Sequence, residues 1–471
     1  MATITSTPLP AAAPAASRLR HWAPLAVVLA GTSVSVLDFF IVNVALPAMQ
    51  RSLHTNGSSI EWVAAGYALT TAVLLIASGR LGDRFGRRNM FCIGLALFTL
   101  ASAACGFAPN SATLITGRLL QGGGGALMST NVLSLLGVIY SDAADRAKAM
   151  AAYATVMGFA AVGGQLIGGV LLQLDPFGLG WRSCFLINLP IGLATIIAAR
   201  RVVPESRGEA SSIDLPGIAL ITAALTALVL PLVEGRQLDW PAWCWISLAL
   251  VLPLTAAFAL QQRRVQRAGM LPLLDRALLA VPSFRAGLVA QLVFWCGQAS
   301  FFLILALFLQ QGEGLTPLAA GGVFTTLALP YVVTSMRAPA LAAKYGRSAV
   351  TASALTLITG DLILIGTVAL GGTTGSVLAL LPGLALVGIG MGLGIAPLTA
   401  GLLAGLRPEQ AGAASGALTT AQYVGSALGV ALVGIAFFGG LGSGYAAAFE
   451  HGLWVLVGAL SLVAVLSRRL P

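Results

Sequence analysis

Two carboxylates and one guanidinium stand where side chains of their kind are expensive. Asp38, Arg118 and Asp361 each lie inside a long apolar run. A charge at the centre of a membrane helix costs roughly 2.5–3.5 kcal/mol on insertion scales, so its retention points to a task. An acid kept from bulk water can take up and release a proton, and burial and a neighbouring guanidinium act on it in opposite senses. Fourteen residues separate Pro24 from Asp38, about 21 Å along a helix. Arg118 lies seven residues past Ser111, about 10 Å in from the opposite side. The two therefore reach similar depth and can face one central cavity, with Asp38 carrying a proton and Arg118 as its partner. The structural alternative is a permanently ionised pair that only joins two helices. Asp361, fourteen residues past Arg347, is a second candidate proton or cation site, or an interhelical hydrogen-bonding group.

Neutral groups form a second constellation. Gln291, Trp295, Gln298 and Phe302 recur at i, i+4, i+7 and i+11, on one face of a helix. Amides and rings on one stripe suit a cavity for an amphipathic organic molecule, whereas ordinary packing with amide hydrogen bonds would use the same residues. Glu61 and Trp62, at the end of an apolar run, read as interfacial anchors.

The segment Gly79-Arg80-Leu81-Gly82-Asp83-Arg84-Phe85-Gly86-Arg87-Arg88 is too charged for hydrocarbon and marks a tight turn on a membrane face. Asp83 among these arginines reads as part of a conformational gate with Gly79, Arg84, Gly86 and Arg87. A topology signal alone would not need the acid. A degraded copy, Pro339-Ala340-Leu341-Ala342-Ala343-Lys344-Tyr345-Gly346-Arg347, follows about 260 residues later, with Ala343 in place of Asp83. One turn written twice implies two homologous halves.

These residues need long apolar elements to hold them, and the composition supplies them. Of 471 residues, 57% are hydrophobic and 9% charged, with mean hydropathy +0.90, where soluble domains carry about a quarter charged residues. The expected class is an all-α integral membrane protein, since runs of helix-spanning length recur throughout. Fourteen spans are expected, near 23–48, 60–80, 88–107, 111–139, 147–172, 183–203, 213–233, 243–262, 285–310, 317–336, 348–369, 376–404, 411–438 and 448–467. With both termini cytoplasmic, 22 of the 26 basic residues fall on the inner side, and Arg51, Arg118, Arg182 and Arg236 lie elsewhere. That bias accounts for the net charge of +10 without nucleic acid.

The expected organisation is a disordered cytoplasmic N-terminus (1–21), a six-helix bundle (22–203), an inserted helix pair (204–262), a cytoplasmic linker (263–284) and a second six-helix bundle (285–471). The first apolar run is too long for a signal-peptide core and is expected to remain as a helix. The five cysteines lie in or beside apolar runs and read as packing residues, without disulfide or metal spacing. The glycines at 122–125, 163–164, 168–169, 388, 390, 392 and 394 permit close helix approach, and no Gly-Lys-Ser/Thr ending makes them a phosphate loop.

The turn at 79–88 resembles the signature loop of the major facilitator superfamily, specifically its fourteen-helix drug:proton antiporter branch. Leu37-Asp38-Phe39-Phe40-Ile41-Val42-Asn43-Val44-Ala45-Leu46-Pro47 is similar to that branch's first-helix pattern. Arg118-Leu119-Leu120-Gln121-Gly122-Gly123-Gly124-Gly125-Ala126 resembles its intramembrane arginine motif, and Trp181-Arg182-Ser183-Cys184-Phe185-Leu186-Ile187-Asn188-Leu189-Pro190-Ile191-Gly192 also fits. Gly164-Gln165-Leu166-Ile167-Gly168-Gly169 resembles the antiporter motif, with Gln165 in place of its usual proline, which removes a kink determinant. The resemblance implies two bundles rocking around a central site, with Asn43, Gln121 and Gln165 joining Gln291, Trp295, Gln298 and Phe302 in its walls. It implies a cell-membrane antiporter, not an enzyme, that exports lipophilic or amphipathic drugs or antibiotics, cationic ones included. The proton gradient would drive it without a cofactor, and no metal or obligate protein partner is expected. A dedicated exporter of one metabolite on the same fold is the alternative. A membrane enzyme acting on lipids would need polar clusters at an interface, yet the three histidines (21, 54, 451) lack a plausible metal partner.

Overall fold

The computed structural model describes residues 15–208, 214–270, 272–273, 276–403 and 411–470. All regular structure in them is helical. The long helices of the first half are α1 (Ala15–Ser52), α2 (Gly57–Phe85), α3 (Arg87–Gly106), α4 (Ser111–Ile139), α5 (Ala143–Leu174) and α6 (Asn188–Val202). The inserted pair is α7 (Leu215–Glu234) and α8 (Ala242–Arg267). The second half comprises α9 (Pro282–Leu307), α10 (Pro317–Tyr345), α11 (Arg347–Gly371), α12 (Leu381–Leu403), α13 (Ala411–Gly440) and α14 (Tyr445–Ser467). Thirteen candidate spans pass on length and hydropathy among the described residues, and α5 adds a helix of 32 residues with an apolar end at Gly163–Leu174. Helix α1 already begins at Ala15, while residues 1–14 lie outside the described part.

Polar residues just before the helices set where they start. Asn56, Asn110, Asp142, Asp214 and Thr316 each accept a hydrogen bond from a backbone N–H in the first turn of α2, α4, α5, α7 and α10. Such caps satisfy donors that the helix itself leaves open. Between α2 and α3, and again between α10 and α11, the chain turns on one glycine. Gly86 and Gly346 have φ of 100° and 49°, a region L-residues rarely occupy, so both copies of the basic turn use the same device.

The halves repeat each other's packing. Helix α4 lies against α2 and α3 as α12 lies against α10 and α11, and α1 packs on α5 as α9 packs on α13. The tightest contacts run over glycine. A Cβ on Gly124 would come within 2.6 Å of the Phe98 amide nitrogen, and one on Gly360 within 2.9 Å of the Gly383 carbonyl oxygen. Without a hydrophobic drive between helices in lipid, such backbone approach is what holds them together.

The halves meet along α2–α13, α5–α10 and α1–α9. A Cβ on Gly169 would lie 2.8 Å from the Pro317 carbonyl oxygen, the Gln310 amide donates to the Val44 carbonyl at 2.8 Å, and Gln311 donates to Gln50 at 3.0 Å. These contacts lie in the helix ends remote from the basic turn, so the seam is closed on that opposite face. Helix α7 covers the α2–α13 seam from the side, and α8 packs on α7. Replacing Gly124 by Leu should lower the melting temperature of the purified protein by the equivalent of about 1–3 kcal/mol of overpacking. Gly137→Leu, where a Cβ meets nothing within 4 Å, should leave it nearly unchanged. Equal melting of the two variants would refute the packing argument.

Candidate functional site

The acid of α1 lies at the meeting point of α1, α3, α4 and α6. Asp38 is fully buried and Arg118 is 1% exposed. Arg118 donates to Asp38 Oδ2 at 2.6 Å and to Gln121 Oε1 at 2.6 Å, and its Nε donates to the Val63 carbonyl at 2.8 Å. Gln121, one turn further along α4, donates to Asp38 Oδ1 at 2.9 Å, and Asn188, the first residue of α6, donates to the same oxygen at 2.7 Å. Ser102 of α3 accepts from both amides, at 2.8 and 3.2 Å. The Tyr67 ring lies 4.6 Å under the guanidinium, adding a cation–π contact.

Elementary electrostatics explains this arrangement. A lone buried charge is unstable, whereas an ion pair whose remaining hydrogen-bonding capacity is satisfied can persist in an apolar interior. Asp38 has three donors around it, one of which, Arg118, is also its counter-ion. Adding a proton to the carboxyl would weaken the hold of all three donors at once, so its protonation state is linked to the mutual positions of α1, α4 and α6.

The site lies beside the seam. Next to Arg118, a cavity of about 10 Å³ is walled by Asn43 and Ala68 of the first half and Ala299, Ser426 and Val430 of the second. A second cavity, of about 40 Å³, lies among Phe40, Gln165, Gln298, Phe302, Phe324 and Tyr331. Ligand pockets for drug-sized molecules run to about 300–1,000 Å³, so these walls must part to admit one. Both polar atoms of the Gln165 amide, both of the Gln291 amide and the Trp295 indole nitrogen are buried with no hydrogen-bond partner among the described residues.

The residues singled out in the sequence therefore separate into groups. Asp38 and Arg118 come together as expected. Gln121, expected in the cavity wall, is instead fully buried in the acid's own network. Asn43, Gln165, Gln298 and Phe302 reach the cavities at the seam, while Gln291 and Trp295 lie on α9 outside both cavity linings. Asp361 is buried within the second half, in a cavity lined by Phe294, Gln298, Phe301 and Val387. Its carboxyl has no Thr or Ser partner among the described residues. Glu61 is a correction: it is 1% exposed in the seam and not at an interface with lipid headgroups, because Gly434 of α13 leaves room for its carboxyl.

In the basic turn, Asp83 accepts from Arg87 at 2.8 Å, four residues on in the chain. The segment after α6 covers the turn, with the Ser206 carbonyl accepting from Arg87 N and the Glu205 carboxylate from Arg88 N. Gly79 has open space around its Cα and Arg84 is exposed, its guanidinium over the Phe85 ring. Asn188, Ser102 and Tyr67 escaped the sequence reading. Asn188 had a signal, an amide between Ile187 and Leu189, whereas Ser102 looked like any hydroxyl that caps its own helix carbonyl, as it also does with Phe98.

The comparisons with known proteins agree with this architecture. Residues 28–430 match the model of the Major Facilitator Superfamily. The chain is 39% identical over 437 residues to a protein named as a probable actinorhodin transporter of Streptomyces coelicolor, covering 92% of this chain and 75% of that protein. It is 32% identical to the puromycin resistance protein pur8 of Streptomyces alboniger, covering 98% and 94%. It is 30% identical to the tetracenomycin C resistance and export protein of Streptomyces glaucescens, covering 89% and 76%. A polar cluster sealed inside one of two repeated six-helix bundles, and a sequence match over most of its length, make this chain a member of the Major Facilitator Superfamily.

Proposed function

We propose that the protein exports an antibiotic-like organic molecule across the cell membrane in exchange for protons, by alternating access. The basic face is cytoplasmic, and both termini lie there. The observation that carries this reading is the Asp38–Arg118 network, buried in the first half yet one cavity wall away from the seam between halves. In the form open to the outside, a proton entering from that side reaches Asp38 and loosens its three donors, so that α1, α4 and α6 shift against each other as substrate is released. Loss of the proton to the cytoplasmic side restores the ion pair. Each charge moved is worth about 2.3 kcal/mol per 100 mV, so one proton per cycle is a useful drive. Asp83 and Arg87 act as the hinge of the inner gate, because their pair sits at the turn between α2 and α3.

The walls at the seam favour an aromatic, weakly polar substrate. Phe40, Phe302, Phe324 and Tyr331 offer ring faces, and Gln165 and Gln298 offer amides that can both donate and accept. Asp38 already has the Arg118 guanidinium as its counter-ion, so in this state it is not free to serve as the counter-charge of a cation. Relatives named for actinorhodin, puromycin and tetracenomycin C support this substrate class. Because each is named for one compound, dedicated export of one natural product is the second reading.

In proteoliposomes with an imposed pH gradient, Asp38→Asn should reduce coupled efflux at least about tenfold while substrate exchange without a gradient persists; equal coupled efflux from the wild type would remove Asp38 from the mechanism. Asn188→Ala should impair coupling but leave the substrate KM within about twofold, whereas Gln165→Ala should raise KM and leave the protons moved per substrate unchanged. The opposite pattern would exchange the assigned roles. Deleting the gene in its host and challenging the cells with a drug panel separates the two substrate readings, since sensitivity to one compound alone indicates a dedicated exporter.

A further inference from the structure

Besides the apolar packing of α7 on α2 and α13, the inserted pair sets one charged side chain at the junction of the two halves. Arg236, in the connection between α7 and α8, places its terminal nitrogen 3.6 Å from Glu61 of α2. Its guanidinium also lies 5.1 Å from the ring centroid of Phe438 on α13. Helices α2 and α13 belong to different halves, and this is the face on which the seam is closed. Gly434 of α13 presses directly on the acid, since a Cβ there would lie 2.7 Å from the Glu61 carboxyl carbon. Neither Glu61 oxygen has a hydrogen-bond partner among the described residues, so Arg236 is the cation that compensates it.

The connection itself is fastened to α2. Trp62 donates its indole N–H to Glu234 at 2.7 Å, and Ser58 donates to Gln237 at 2.6 Å. Asp239 and Trp240 both hold left-handed backbone, with φ of 54° and 50°, and the Trp240 N–H donates to the Gly235 carbonyl at 2.7 Å. Two consecutive non-glycine residues in that region mark a loop held in one shape by its surroundings. On the basic face, Arg80 of α2 donates to the Pro272 carbonyl in the linker after α8. The pair is thus tied to α2 near both ends, packs on α13 along α7, and sets the arginine against Phe438 at the closed face.

We infer that the α7–α8 connection is a clamp across the α2–α13 seam, and that Arg236 is the positioning residue that holds this face shut. The inference rests on the alternating-access reading but not on proton coupling. When the face opens, the Phe438 ring and Gly434 move away while Arg236 and Glu61 stay together on α2. Without Arg236 the buried Glu61 charge is uncompensated, and the open form, where water reaches it, gains over the closed one. Removing both charges should return the seam to a neutral, closed state.

The test measures opening directly. Val430, which is buried beside the cavity next to Arg118, is replaced (Val430→Cys) in a chain whose five native cysteines are changed to alanine. Labelling by a membrane-impermeant maleimide is then followed from the face opposite the basic turn. Arg236→Gln should raise the labelling rate about tenfold, Arg236→Lys should stay near the parent, and Glu61→Gln with Arg236→Gln should return to within about twofold of it. A purely structural role predicts that the double variant is at least as open as the single one, and that result, or unchanged labelling of Arg236→Gln, overturns the clamp. If Arg236→Gln fails to assemble, Phe438→Leu carries the test, because it removes the ring and keeps the ion pair. Its labelling should rise at least about twofold, the effect of a weak cation–π contact, and no rise rejects the proposal. Repeating the series with Asp38→Asn separates the two readings: loss of coupling there leaves the Arg236 effect in place, whereas failure of the clamp leaves coupled efflux untouched.

Discussion

A charge in hydrocarbon must be compensated where it stands, and that requirement organises the first half of this protein. Asp38 is held by a guanidinium and two amides, and Arg118 also satisfies the Val63 carbonyl and lies on the Tyr67 ring. These contacts join α4 to α1, α6 to α1 and α4 to α2, so the relative positions of α1, α2, α4 and α6 are written into one cluster. The same low dielectric that makes the cluster strong makes any change in its charge felt throughout it. On the proposed reading, a proton arriving at Asp38 therefore has a lever on four helices.

That lever needs a bistable element to act on, and the seam provides it. Backbone meets backbone across glycine at Gly169 and Gly321, contacts with no flexible side chain between them to stretch. Such surfaces either fit or separate, which suits a two-state transporter better than a compliant interface would. The cavities at the seam, of about 10 and 40 Å³, are far too small for a drug-sized molecule in this state. The charged cluster and the cavities at the seam are adjacent but separate, with Gln121 buried in the first and Gln165 lining the second.

The inserted pair adds a third body to a two-body machine. It covers the seam where α2 meets α13 and leaves α5–α10, its pseudo-symmetric counterpart, without such a cover from α7. The closed face is therefore stabilised asymmetrically. Arg236 is one of four basic residues outside the charge bias, and its position against Glu61 and Phe438 supplies a physical reason for that exception.

Much of the architecture was legible in the chain because membrane helices announce themselves. Their length is fixed by bilayer thickness, their backbone must satisfy itself, and arginines collect on one face. The two copies of the basic turn, with Gly86 and Gly346 aligned, disclosed the internal repeat, and the burial penalty singled out Asp38 and Arg118. What linear order could not disclose was which neutral side chains close the cluster. Asn188 is 150 residues from Asp38, and an amide in an apolar run looks the same whether it faces a cavity, as Gln165 does, or an acid, as Gln121 does. Glu61 shows the same limit: position near a helix end suggested a headgroup, and only the approach of Gly434 from the other half placed it inside. Sequence determined the helices, the repeat and the expensive charges, since those follow from local composition; tertiary packing decided their partners, since partnership depends on contacts between residues far apart in the chain.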